Sequence, residues 1–133
     1  MSFELVWEPK GVVKRYFGRV TGEEILAAGI RSQGDERFDQ NRYAINDFLD
    51  CTEFVIDRKV LDEIAAFAGA AEISNPNIKI AIVATLPTVV AATMEYIGLP
   101  LQTYPTRLFA TREEARAWIA EGGQAPPDKP ARP

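Results

Sequence analysis

The segment that decides the fold is residues 78–84, IKIAIVA, which leads directly into the sequence TLP at residues 85–87. Isoleucine occupies every second position from 78 to 82, and this two-residue period predicts a β-strand with two different faces. Pro87 falls in the first turn of a following helix, where proline costs no hydrogen bond, and Gly98 is predicted to end that helix in a left-handed conformation. An apolar strand followed at once by a helix is the building unit of α/β folds.

Similar strand-helix pairs lie on both sides of this segment. Upstream, residues 42–49 are predicted to form a strand that ends in an acidic loop, and Asp57 is predicted to cap a helix whose apolar residues recur every three or four positions. Downstream, residues 106–109 are predicted to form a strand, and Thr111 and Glu114 form a capping box that opens the last helix.

The N-terminal part begins with two strands instead of one. Residues 3–7 and 12–20 are predicted to form a hairpin around a Pro-Lys-Gly turn. Thr21 and Glu24 then form another capping box, which opens a first helix that is predicted to run to about Gly34.

The resulting order, β-β-α-β-α-β-α-β-α, predicts an α/β fold with a mixed sheet of about five strands, parallel except at the hairpin edge. Polar residues within the central strands, Asn46 and Lys79, argue against equal helical cover on both faces, so the helices are expected mainly on one face. Residues 1–121 are expected to form a single domain. The proline-rich residues 122–133 are expected to be a disordered tail.

The composition excludes several kinds of active site. The 133 residues carry a net charge of −4, no histidine and one cysteine. These counts exclude a Ser-His or Cys-His catalytic pair, a histidine metal site, a disulfide within the chain and a CxxC motif. The acidic balance and the scattered basic residues argue against nucleic acid as a partner. No cofactor is expected.

No stretch of the chain is expected to cross a membrane. The longest uncharged stretch, residues 80–94, contains Pro87 and is shorter than the roughly 20 residues that a spanning helix needs. The N-terminus lacks the basic start and apolar run of a signal peptide. We therefore expect a cytoplasmic protein with no integral membrane segment.

Three stretches carry a resemblance to a known family: residues 43–49 with 54–57 (YAINDFL and FVID), residues 80–87 with 96–99 (IAIVATLP and YIGL), and residues 108–115 (LFATREEA). Together they resemble the STAS domains of anti-sigma-factor antagonists, in particular the SpoIIAA-like branch, which groups with Sec14-like lipid-binding folds. The resemblance covers about residues 3–120. It implies a superhelix of β-α units with helices on one face, in agreement with the order of the predicted elements.

The same resemblance implies a regulatory role with one element missing. In the antagonists, the second helix starts just after an aspartate that corresponds to Asp57, and a serine there is phosphorylated to switch partner binding. This chain has Arg58 and Lys59 in that place. The resemblance therefore implies a non-enzymatic module that binds an unidentified protein partner without that switch, and anti-sigma antagonism itself is not carried over.

Four carboxylates lie at the carboxyl end of the strand predicted at residues 42–49, namely Asp47, Asp50, Glu53 and Asp57. Ligands collect at the carboxyl ends of parallel strands, so the group suggests a magnesium site or a phosphoryl-accepting aspartate. The alternative is that Asp57 caps a helix while Asp50 and Glu53 are solvated loop residues. We favour this alternative and expect no metal site, which leaves a carboxylate-based enzyme as the third hypothesis.

The start of the second helix is the predicted docking surface. Arg58 and Lys59 occupy its first turn, where the helix dipole disfavours cations, and a local rule broken in this way is typical of a binding site for a partner or an anion. The alternative is that they pair with Asp62 and Glu63, four residues further on. The predicted partner-binding or anion-binding residues are Asp50, Thr52, Asp57, Arg58 and Lys59.

The third helix predicts a second surface, because residues 88–97 contain one charge in ten positions. Such a helix buries more than one face. It could pack on the second helix, on the partner subunit of a homodimer, or on an apolar ligand of the kind that Sec14-like kinship suggests. The predicted residues of this interface or cleft are Ala66, Ala70, Val89, Val90, Met94 and Ile97. The sequence thus favours a protein-docking module, with a small carrier or sensor of an apolar or lipid-like ligand as the alternative.

Overall fold

The computed structural model describes residues 2–121, which contain one five-stranded mixed sheet and four α-helices. The strands, in their spatial order, are β1 (Phe3–Glu8), β2 (Gly11–Thr21), β3 (Tyr43–Val55), β4 (Lys79–Val83) and β5 (Thr106–Phe109). The helices are α1 (Gly22–Gln33), α2 (Arg58–Ser74), α3 (Pro87–Ile97) and α4 (Arg112–Glu121), with a short 3₁₀ helix at Glu36–Gln40.

This architecture confirms the predicted element order and sheet. Strand β1 is antiparallel to β2, and the remaining neighbours are parallel. None of the helices within residues 2–121 combines the length and the hydropathy needed to cross a membrane. The predicted tail lies outside the described residues, so the domain boundary stays a prediction.

The predicted helix starts are present as side-chain hydrogen bonds. The Thr21 hydroxyl accepts from the Glu24 amide and the Glu24 carboxylate accepts from the Thr21 amide, at 3.3 and 2.9 Å. Asp57 accepts from the amide of Val60 at 2.9 Å, and Thr111 caps α4 in the same manner. These interactions are local, and sequence spacing therefore predicts them well.

One predicted helix end is wrong in its conformation. Gly98 ends α3 with φ −80°, a right-handed value, because the last turn tightens and the Gly98 amide donates to the carbonyl of Glu95. The glycine with a positive φ among the described residues is Gly18, at 69°, beside irregularities in the pairing of β2 with β3. There it permits a local change in register.

Strand β3 is longer than predicted. The sequence predicts a strand over residues 42–49 followed by an acidic loop, whereas β3 continues to Val55. The reason is the length of β2, which offers backbone partners as far as the pair Thr21 and Val55. The acidic residues after Leu49 therefore lie on a strand and not in a loop.

The two sheet faces are covered unequally, as predicted. Side chains such as Ile80 and Ile82 face α1, α2 and α3, whereas Ala81 and Val83 pack on α4 against Trp118. We call these the three-helix face and the α4 face. With three helices on one side and one on the other, the prediction of helices mainly on one face is confirmed.

The two polar strand residues lie on different faces. Lys79 lies on the α4 face, where its ammonium donates to the Trp118 carbonyl at 3.0 Å. Asn46 lies on the three-helix face, so its polarity is not a sign of thin helical cover. Instead, Asn46 lines a cavity between the sheet and the helices.

Candidate functional site: a lysine in an apolar cavity

A cavity separates part of the three-helix face from α1, α2 and α3. Its volume is about 140 Å³ and it is partly open to solvent. Its walls are mostly aliphatic and aromatic, with Ile25, Ile64, Phe67 and Ile82 among them. An apolar cavity of roughly 150 Å³ in another protein binds benzene, so the space here matches a small organic molecule.

The sheet side of the cavity carries a lysine and an asparagine side by side. Lys14 on β2 and Asn46 on β3 are partners in the parallel register, so both side chains project toward the three-helix face. The Tyr16 hydroxyl donates to Asn46 Oδ1 at 3.5 Å, and the Tyr16 ring stacks on Phe48 with 4.5 Å between centroids. The floor of an otherwise apolar cavity is therefore polar.

Lys14 has no counter-ion within residues 2–121. Among the described residues it forms no ion pair and no side-chain hydrogen bond, and no aspartate or glutamate lines the cavity. Its neighbours on the same face, Val12 and Tyr16, are fully buried. Burial away from water disfavours the charged amine and lowers the pKa of Lys14 to about 8.

Helix α3 adds two hydroxyl groups to the lining. Thr93 and Tyr96 lie one turn apart, and neither side chain hydrogen-bonds within the described residues. Burial raises the pKa of Tyr96 above its usual range, so this phenol is neutral at physiological pH. Tyr104, by contrast, donates its hydroxyl proton to the Asn75 carbonyl at 2.6 Å.

The four predicted carboxylates, three of which lie on β3 itself, do not form a common site. Asp47 is buried and pairs with Arg112 at 2.5 Å, whereas Asp50 and Glu53 are exposed and pair with the β2 arginines. Asp57 caps α2. Within residues 2–121 no group of three or more metal-ligating side chains comes together. Arginines balance the three acids of β3 in this arrangement.

The predicted docking residues fall into two groups. Asp50 and Thr52 are exposed on β3, whereas Asp57, Arg58 and Lys59 are exposed at the start of α2. No ion pair or side-chain hydrogen bond joins the two groups among the described residues. The structure thus presents the start of α2 as one surface and the outer end of β3 as another.

The predicted alternative pairs of Arg58 and Lys59 have different outcomes. The Arg58 guanidinium donates to Asp62 at 2.9 Å, as predicted, and also to Glu95 of α3 at 2.9 Å, which sequence spacing could not reveal. Both carboxylates raise the pKa of Arg58. The predicted pair of Lys59 with Glu63 does not form, and within the described part of the chain the Lys59 ammonium has no partner.

The apolar character of α3 is explained by packing within the chain. Leu61 and Ala65 of α2 form a buried cluster with Tyr96 and Leu99. Of the six residues predicted for an interface or cleft, Val89 lines the cavity. The others do not: Val90 and Ile97 are partly buried, and the exposed ones are Ala66, Ala70 and Met94.

Sequence reasoning missed Lys14 and Asn46, although a signal was present. Lys14 stands two residues from both Val12 and Tyr16, so the alternation of a strand places its side chain on the apolar, inward face. A lysine on that face either reaches a partner or occupies a cavity.

Comparisons with solved structures identify the fold. The chain is similar to the anti-sigma factor antagonist SpoIIAA in its unphosphorylated form, with a TM-score of 0.57 and 15% identity over 89% of this chain and 97% of that one. It is similar to the Bacillus cell fate determinant SpoIIAA in the phosphorylated form, with a TM-score of 0.53 and 18% identity over 88% and 98% of the two chains.

A third solved structure is an uncharacterized protein of the DUF3478 family from Shewanella loihica PV-4, which has a SpoIIAA-like fold. Its TM-score is 0.51, with 11% identity over 88% of this chain and 91% of that one. No protein-family model matches the chain, and no curated protein matches it significantly. At these identities the likeness establishes the fold.

Proposed function

We propose that this chain, which has the SpoIIAA-like fold of STAS domains, is a non-enzymatic regulatory module that docks on a protein partner. The observation that carries the proposal is the exposed first turn of α2, where Lys59 projects without a partner among the described residues. The solved protein of the same fold is described as an anti-sigma factor antagonist, which supports a regulatory role. The docking surface comprises Asp57, Arg58 and Lys59, and the exposed residues Asp50 and Thr52 of β3 form a second, separate part of it.

Docking on this surface is proposed to be independent of serine phosphorylation. Residue 58 is arginine, and α2 starts there directly after its Asp57 cap. The side chain is held by Asp62 and Glu95, so the cation at this helix start is neutralised within the chain. Lys59 then remains as the charge that a partner carboxylate would contact.

Site-directed photo-crosslinking tests the docking surface. A photoreactive amino acid at position 59 should capture a partner from lysate of the native host, and the identified partner is then purified. Arg58→Ala with Lys59→Ala should weaken its affinity at least tenfold with little change in melting temperature, because both side chains are exposed. The matched control, Lys10→Ala with Arg42→Ala, removes two cations at the amino ends of β2 and β3, opposite the carboxyl end of β3 that leads into α2. Equal affinities for the two double variants contradict the proposal.

The cavity favours a second candidate function, a carrier or sensor of a small apolar ligand. A carrier or sensor function is compatible with docking, because α2 contributes both the exposed first turn and residues that line the cavity. Native mass spectrometry of protein purified from its own host tests this candidate, because a retained ligand appears as added mass. The same spectrum reports whether a homodimer, one of the alternatives considered for the third helix, forms. Saturable binding of toluene or 1-hexanol in solution supports the carrier function, and failure of every small apolar probe contradicts it.

A further inference from the structure

We infer that the cavity binds a small amphipathic carboxylate, whose acid group pairs with the Lys14 ammonium and whose apolar body lies among the side chains of α1, α2 and α3. This inference rests on the carrier or sensor function, and it names the chemical class of the ligand. It assigns Lys14 and Asn46 as the residues that recognise the acid group.

The charge balance of the cavity is the first argument. Lys14 is the charged residue of the lining, and the acids of the neighbouring strand are directed elsewhere, Asp47 to Arg112 and Asp50 to Arg15. An ammonium without a counter-ion in an apolar space is costly unless a partner arrives. Since the described chain supplies no carboxylate there, a bound anion is the complement that completes the site.

The geometry of the floor is the second argument. Asn46 uses its carbonyl oxygen to accept from Tyr16, which leaves its amide N–H donors without a partner among the described residues. Lys14 and Asn46 are register partners on adjacent strands and both line the cavity, so an ammonium and an amide donor share the same space. A carboxylate has two oxygens that accept from two such donors.

The size and single charge of the site select the ligand class. A volume of about 140 Å³ accommodates a body the size of a benzene ring or a short aliphatic chain. One cation balances one negative charge, which suits a carboxylate better than a phosphate dianion. The two further hydroxyl groups of α3, on Thr93 and Tyr96, offer a second polar contact within the same space.

Matched acid and neutral probes test the inference. Benzoate and hexanoate are titrated against benzyl alcohol and 1-hexanol, with amide chemical shifts of cavity residues as the measurement. Wild-type protein should bind each acid at least tenfold more tightly than the alcohol of the same skeleton. Lys14→Met should abolish this preference while it retains the alcohols. Lys79→Met is the matched control, because Lys79 is a strand lysine on the α4 face, and it should leave the preference unchanged.

The pH dependence in wild-type protein is a second measurement that needs no variant. Acid affinity should be constant near neutrality and fall about tenfold per pH unit above pH 8, as the empty-cavity amine of Lys14 loses its proton. The other titratable groups of the lining are Tyr96 and Tyr104, whose pKa values are raised by burial, and Lys14 faces Leu5 on β1 and Asn46 on β3. No other group of the lining titrates near pH 8.

The outcomes separate this inference from the function on which it rests. Acids that bind no tighter than alcohols, or a preference that survives Lys14→Met, overturn the assigned acid site while the carrier function stands. Absence of binding by all four probes overturns both. Acid preference that is lost with Lys14 and declines above pH 8 supports both.

Discussion

Each face of the sheet carries a lysine that lies on a strand, and the two lysines have different surroundings. On the α4 face, the Lys79 ammonium donates to the Trp118 carbonyl and lies 4.6 Å from the centroid of the Trp118 ring. On the three-helix face, Lys14 projects into a cavity with no partner in the described chain. Lys79 thus makes structural contacts, whereas the Lys14 ammonium is left without a partner in the described chain.

The acids of the sheet show the same contrast. Two arginines of α4 neutralise the carboxylates that it covers: Arg112 binds Asp47, and Arg116 makes a bidentate pair with Glu8 at 2.7 Å, to which Tyr43 also donates. Among the described residues, no carboxylate lines the cavity on the opposite face. A face with its polar groups satisfied stabilises the fold, whereas a face with an unsatisfied donor is poised to bind something.

The largest expected change in stability tests the packing of the α4 face. Trp118→Ala should lower the free energy of unfolding by about 3 kcal/mol, because it removes a buried ring that packs on Phe109 and makes a cation–π contact with Lys79. Chemical denaturation measures the loss. A change below about 1 kcal/mol would show that α4 contributes little to the stability of the sheet.

The next expected change in stability has the opposite sign and tests the three-helix face, where the cavity lies. Lys14→Met should raise the free energy of unfolding by about 2 to 3 kcal/mol at pH 7, because it removes an ammonium whose pKa is lowered to about 8 by burial. Lys79→Met should change the same quantity much less, because desolvation also lowers the pKa of Lys79 but its ammonium keeps a hydrogen bond and a cation–π contact. If Lys14→Met and Lys79→Met were both less stable than wild type, the proposed difference between the two lysines would be wrong.

The pH profile sharpens this second prediction. Below about pH 8 the folded and unfolded states both hold the Lys14 proton, so the penalty is complete. Between about pH 8 and the ordinary lysine value near 10.4, the unfolded state binds more protons, and wild-type stability therefore rises with pH. The advantage of Lys14→Met should shrink across that interval. A constant advantage would mean that the effect does not come from the buried charge.

The smallest effect concerns the edge of the α4 face. Glu8→Gln should lower the free energy of unfolding by about 1 kcal/mol or less at pH 7. Arg116 and Tyr43 hold the pKa of Glu8 below its ordinary value, against the effect of burial. Because that folded-state pKa is lowered, the stabilisation is present above the ordinary value and disappears as the pH falls through the lowered one. Wild type and Glu8→Gln should therefore converge in acid, and curves that stay parallel would contradict the assignment.

The elements set by short-range chemistry could be predicted from the sequence. The helices that start at Thr21, Asp57 and Thr111 follow from side chains that bond to backbone amides three residues on. The last strand, residues 106–109, has the predicted bounds. The end of β3 could not be predicted in this way, because the length of a strand depends on the partner that it meets.

The candidate site was predicted less completely. The exposed start of α2 follows from the Asp57 cap, and the Arg58 pair with Asp62 follows from helical spacing. The pairing of Glu95 with Arg58 and of Arg112 with Asp47 joins segments 37 and 65 residues apart. Such contacts carry no local signature, so sequence spacing could not show that arginines pair with the acids of β3.

The sequence by itself determined the order of strands and helices, because that order follows from periodicities of two and 3.6 residues and from capping chemistry. Only the tertiary structure decided that Lys14 faces a cavity while Lys79 faces a tryptophan. Whether a buried charge finds a partner depends on which distant segments pack over it, and that packing is a property of the assembled layers.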